Sequence, residues 1–180
     1  MSYVMKTDDK SRLSSLVGTE FKGLRGPHIG PSLVTDFVML FTSELSIGIF
    51  GDIETRSPDG FDDDYSYLRL EPLLPISSDE SSRMSTLYDQ HSGETITAVE
   101  LVEQDVCEIE DGKAKWSYQT EVGIILRLTN GALLLQLLTL HDEIFSITFF
   151  DKQVAVSPSE IRSKFQNDLG AHYEMGAKVK

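Results

Sequence analysis

Apolar residues recur at two different spacings along the chain, and each spacing predicts its own element. Leu45, Ile47 and Ile49 alternate with Ser46 and Gly48, the two-residue period of a strand with one buried face. Leu33 to Phe41 is rich in β-branched and large apolar residues and predicts another strand, with Tyr65 to Leu70 and Ile144 to Phe150 as closing strands. The strongest local signal is Gly123 to Leu128, then Thr129-Asn130-Gly131, then Ala132 to Leu135. Asn130 and Gly131 both tolerate positive φ, so a tight type I′ hairpin is expected there. The run Leu133 to Leu138 offers no polar face, which predicts an interior strand covered on both sides.

The helical spacing appears near the start. Leu13, Leu16 and Val17 fall at i, i+3 and i+4, Thr7 is placed to cap, Asp8 and Asp9 complement the dipole, and Gly18 supplies a stop. The segment Thr7 to Leu16 is echoed in one unbroken register by Ser78 to Leu87. Ser77 or Ser78 would cap this second helix, Glu80 would complete a capping box, and Met84, Leu87 and Tyr88 would form its apolar stripe before Gly93. Weaker echoes follow, Gly18 to Leu24 against Gly93 to Val99 and Tyr65-Ser66-Tyr67 against Phe145-Ser146-Ile147. Their order is what a duplication with loops of unequal length leaves behind.

The expected fold class is therefore α+β, two tandem pseudo-repeats of a helix plus an antiparallel β-meander, with a C-terminal helix. Residues 1–76 form the first repeat and linker, 77–156 the second, and 157–180 the final helix and tail, in one compact unit. The linker Glu71 to Ile76 is extended by its two prolines. The last helix would begin at Ser157-Pro158-Ser159-Glu160, place Ile161 and Phe165 on one face and end near Gly170, with a frayed tail after it.

Composition narrows the functional classes. With 180 residues, 40% of them hydrophobic, the chain can bury a core without staples. The first residues show no basic start followed by an apolar run, no stretch is long enough to span a bilayer, and the single cysteine, Cys107, suits a reducing compartment; a cytoplasmic location is expected. The net charge is −13, and it is concentrated. Asp52 to Asp64 holds six acids against Arg56 alone, and Glu100 to Asp111 holds six acids and no base. Such a surface repels nucleic acid and anionic membranes and steers a basic protein toward it.

Catalytic and metal chemistry find little support. Gly23 to Pro31 is glycine-rich but lacks the Gly-Lys-Ser/Thr ending of a phosphate loop and the dinucleotide fingerprint, and its prolines remove amides. Pro58 to Asp64 clusters carboxylates without the ligand spacing of an EF-hand. His141-Asp142-Glu143 is the one place where a histidine abuts carboxylates, no zinc spacing or nucleophile elbow occurs, and Cys107 sits among acids that disfavour its thiolate. No catalytic residue, metal ligand or cofactor is assigned.

In layout, a small acidic chain built from a repeated unit of cap, glycine, strand and hairpin, the sequence resembles bacterial immunity proteins that inhibit polymorphic toxins. That resemblance implies a non-catalytic protein that neutralises a basic partner, a cognate toxin domain. The partner-binding residues expected are Asp59, Phe61, Asp62, Asp63, Asp64 and Tyr65 in the first acidic loop, and Glu103, Asp105, Glu108 and Trp116 in and beside the second. Acidic residues would speed the encounter and aromatic ones would anchor the complex. Two other readings stay open: a ligand-binding module or enzyme with a pocket between the halves, using His141, Asp142 or Glu143, and a structural subunit of a larger assembly.

Overall fold

The computed structural model describes residues 2–34, 36–57, 63–72, 84–111, 113–138, 143–151 and 173–179. Over these residues the chain is mostly antiparallel β-sheet, arranged in two sheets with one short helix. In chain order the elements are β1 (Ser2–Tyr3), α1 (Thr7–Ser14), β2 (Phe21–Gly26), β3 (His28–Gly30), β4 (Leu33–Val34), β5 (Phe37–Thr42), β6 (Ser46–Arg56), β7 (Asp63–Pro72), β8 (Ser85–Tyr88), β9 (Ile96–Glu110), β10 (Lys113–Leu128), β11 (Gly131–Leu137), β12 (Phe145–Asp151) and β13 (Tyr173–Val179). The larger sheet has eight strands, running β13-β9-β10-β11-β12-β4-β3 with β1 added in parallel to β10. The smaller has five, running β7-β6-β5-β2-β8.

This overturns the α+β expectation. The first helix forms, and Leu13 and Leu16 are buried as its spacing requires, while Val17 is exposed. Lys6, not Thr7, occupies the N-cap, and Gly18 at φ +89° ends the unit, its N–H donating to the Ile96 carbonyl at 2.8 Å. The second helix does not form where it is described: Ser85–Tyr88 is strand β8, paired with β2 through Leu24↔Tyr88 and Arg25↔Thr86. The same short pattern takes a different form because β2 offers an unpaired edge there and Tyr88 gains aromatic partners, so tertiary pairing outweighs a weak helical preference. Residues 78–83 and the expected C-terminal helix of 157–170 lie outside the described residues. The tail read as frayed contains β13, paired with β9 from Tyr173↔Glu108 to Val179↔Val102. Nor do the sheets divide into two equivalent repeats, since β1, β3 and β4 join the larger sheet while β8 closes the smaller one.

The expected hairpin is present and interior, β10 and β11 lying between β9 and β12. Its turn differs. Arg127 pairs with Ala132, so the bend falls on Thr129 and Asn130, neither at positive φ, and Gly131 opens β11. Gly131 is needed for a different reason: a Cβ there would stand 2.6 Å from the Phe149 ring and 2.8 Å from the Phe150 carbonyl oxygen. As its apolar run predicts, every residue of β11 is buried.

The two sheets meet across one apolar core. Val38, Leu40, Ile47, Ile49, Leu68 and Leu70 come from the smaller sheet, and Ile124, Leu126, Leu133, Leu135 and Leu137 from the larger. At Gly51 the approach is too close for a side chain: a Cβ would lie 2.8 Å from both Leu137 Cδ2 and the Glu143 carbonyl oxygen. Each such side chain, removed from water, contributes roughly 1.5–3 kcal/mol toward offsetting the entropy of ordering the strands. Helix α1 is tied to the larger sheet through Glu121, 4% exposed, which accepts from the Met5 N–H at 2.8 Å and from Lys10 Nζ at 2.9 Å.

Candidate partner-binding end

Two long hairpins, β6–β7 and β9–β10, carry the two acidic runs, and side-chain packing joins them. Tyr65 of β7 is 2% exposed and packs edge-on against Trp116 of β10, with ring centroids 6.0 Å apart and planes at 79°. It also lies 4.7 Å from the Tyr118 ring. Trp116 pairs with Glu108 across β9–β10, and Asp64 precedes Tyr65, so the acidic ends of both hairpins are brought to one place. Sequence reasoning named these two regions separately. The contact between them is the new element.

The charge is less uniform than the sequence suggests. Asp52 Oδ2 accepts from Arg69 Nε at 2.8 Å, and Glu54 Oε2 accepts from Arg56 at 2.6 Å. The Glu54 hydrogen bond raises the Arg56 pKa above its usual range, and burial followed by the nearby Asp52 raises that of the Tyr67 hydroxyl. Asp64 is exposed and accepts from Thr55 Oγ1 at 2.6 Å. Asp105 is half-buried and Asp111 is exposed at a left-handed φ of 52°, and neither enters an ion pair among the described residues. Lys113 and Lys115 follow on β10, so the tip of that hairpin mixes signs.

The placement of the other expected contact residues varies. Asp59, Phe61 and Asp62 lie outside the described residues, and Asp63 opens β7 opposite Arg56. The stretch Glu100 to Asp111, expected as a loop, is mostly strand β9, paired with β10 on one edge and β13 on the other. Glu103 is 4% exposed and accepts from the Gln119 side-chain amide, so it points away from solvent, and Glu108 lies opposite Trp116. Tyr65 serves as a clamp between hairpins. Trp116, half-buried, lies beside it. Glu100 forms a two-pronged pair with Arg127 at 3.1 and 2.8 Å.

For catalysis, His141 and Asp142 lie outside the described residues, and Glu143 lies against Gly51 at the sheet crossing. Among the described residues no group of three His, Cys, Asp or Glu side chains converges to hold a metal. No helix among them is long and apolar enough to cross a membrane.

A second aromatic group was invisible in the sequence because it joins β8, the loop after it and β12. His91 stacks 4.2 Å from Phe149, and Phe149 stacks 5.3 Å from Tyr88. His91 Nδ1 lies 2.6 Å from Glu94 Oε1, while Glu94 Oε2 accepts from the Asn130 N–H at 2.9 Å. Burial alone would raise the Glu94 pKa, yet the hydrogen bonds from His91 and Asn130 outweigh it and leave the carboxyl below its ordinary value. Compared with known proteins, the chain matches no family model, no curated protein and no solved structure.

Proposed function

We propose that this is a non-catalytic binding protein that captures a basic protein partner at the joined acidic ends of the β6–β7 and β9–β10 hairpins. The observation that supports this most is the packing of Tyr65 on Trp116 and Tyr118, which sets two acidic runs side by side on a rigid support. Exposed Asp64 and Asp111, with half-buried Asp105 within β9, supply charges that steer a cationic surface. Half-buried Trp116 supplies apolar contact, because exposed charge pairs alone contribute little affinity. A toxin domain, as the resemblance to immunity proteins implies, is one such partner. The repeated helix that entered into that resemblance is not what the fold contains, so the proposal rests on the charge and the clamp.

The test is to capture the partner from the native cell with immobilised protein, then measure its association with a variant carrying Asp64→Asn, Asp105→Asn and Asp111→Asn. The on-rate should fall about tenfold with the fold intact and the off-rate changed less. An unchanged on-rate, or capture of a nucleic acid or an acidic protein, contradicts the proposal.

A further inference from the structure

A cleft of about 360 Å³ opens where the two sheets part. The β3–β4 hairpin pairs with β12 only through Phe145↔Val34 and Ser146↔Leu33, and the Ile147 N–H still reaches the Ser32 carbonyl at 3.1 Å. Beyond that bond the described residues of the hairpin no longer pair with β12, and the cleft lies between them, β12 and the edge strand β8. Pro31, Leu87 and Ile147 give this space apolar walls, and Tyr88 and Phe149 give it aromatic ones. Its volume lies in the range of small-molecule sites.

We propose that this cleft binds a small organic cation with an apolar body, a quaternary or alkylated amine. Three features select that chemistry. Among the described residues the lining contains no lysine or arginine, so a carboxylate or phosphate would enter without a fixed positive charge to offset its desolvation. The Tyr88 and Phe149 rings both line the cleft, and the ring surface that their stacking on each other and on His91 leaves uncovered carries the negative quadrupole that attracts a cation with a weakly held hydration shell. Carboxylates also act on this wall: the Tyr88 hydroxyl is pushed up to about 12, first by its burial and then by Glu94, Asp151 and Asp89, so it remains neutral, and of these acids Glu94 is itself paired with His91. Among the described residues, His28 and Tyr88 are the titratable ones that line the cleft. This site is separate from the acidic hairpin ends, and the two proposals stand or fall independently.

The probes are choline, its uncharged carbon isostere 3,3-dimethylbutan-1-ol, and butyrate, each titrated into the full chain while the methyl NMR signals of Leu33, Leu87 and Ile147 are followed. Choline should shift these signals saturably, the isostere should bind about three- to tenfold more weakly, and butyrate should leave them unmoved. Phe149→Leu should reduce choline affinity by a similar factor with little effect on the isostere. Thr86→Trp, at an exposed position on the rim, should block all binding without touching the core, which keeps the test decisive if Phe149→Leu fails to fold. The proposal is overturned by the absence of a saturable choline shift, by an isostere or butyrate that binds as tightly as choline, or by undiminished choline binding in Thr86→Trp.

Discussion

Replacing Tyr65 by alanine removes the clamp between the two acidic hairpins, and the cost can be worked from its surroundings. The side chain is 2% exposed and touches two aromatic rings, at 6.0 Å and 4.7 Å. Truncating a buried aromatic typically costs about 3–5 kcal/mol, the sum of lost transfer energy and the cavity left behind. Trp116 is only half-buried and can relax into part of that space, which places the expected loss near the lower end, about 3 kcal/mol. The edge-to-face geometry should add about 0.5–1.5 kcal/mol of coupling beyond area burial. A double-mutant cycle with Tyr65→Ala and Trp116→Ala, measured by urea unfolding and circular dichroism, isolates that coupling. Because Trp116 is the only tryptophan, its emission in Tyr65→Ala gives a second readout and should move to the red as water reaches the ring. A loss below about 1 kcal/mol, coupling near zero and unshifted emission would together refute the idea that these hairpin ends are held by this contact.

Gly131→Ala should destabilise by about 1–3 kcal/mol in thermal unfolding because the new methyl meets the Phe149 ring and a backbone oxygen; an unchanged midpoint would mean the strands are not so close. Glu121→Ala leaves the Met5 N–H and Lys10 without their acceptor and should cost about 2–3 kcal/mol, with amide exchange at Met5 accelerated; protection equal to wild type would contradict the tether. Since the folded pKa of Glu94 is lowered, its contribution is present above the ordinary carboxylate range and is lost as pH falls from about 5 toward about 3, so Glu94→Gln should flatten the acid side of the stability profile; an identical acid limb would count against the His91 and Asn130 contacts. The raised pKa of Tyr88 has the opposite sense: its stability is present below about 10 and is lost as pH rises toward 12, so the ultraviolet titration of Tyr88→Phe should lack a late-ionising phenol, and a curve missing only an ordinary one would be inconsistent with the burial of Tyr88.

Strand content was legible wherever a segment's own residues carried it. The alternation around Ile47 and the apolar run Leu133 to Leu138 announce buried strands, and both are found. Leu13 and Leu16 likewise announce helix α1. What failed was inference from likeness: Ser78 to Leu87 copies the first helix in chemical type, but the strand at Ser85–Tyr88 answers to β2, a partner distant in sequence. Turn chemistry misled in a similar way, because glycine at 131 makes room for Phe149 and does not supply a positive φ. For the candidate site, the acidic runs were visible as composition, whereas the burial of Tyr65 and Glu103 and the meeting of Tyr65 with Trp116 depend on which hairpins pack together. The Tyr88, His91 and Phe149 group was hidden for the same reason.

The most direct measurement is the association rate of the captured partner across a range of ionic strength, for the native protein and for the variant with Asp64, Asp105 and Asp111 replaced by asparagine. If the joined hairpin ends steer a basic surface, the native on-rate falls steeply as salt rises while the off-rate changes little, and the variant shows a shallower slope that converges with the native protein at high salt. Parallel slopes for the two proteins, or an on-rate indifferent to salt, would show that the partner is not recognised through this acidic end.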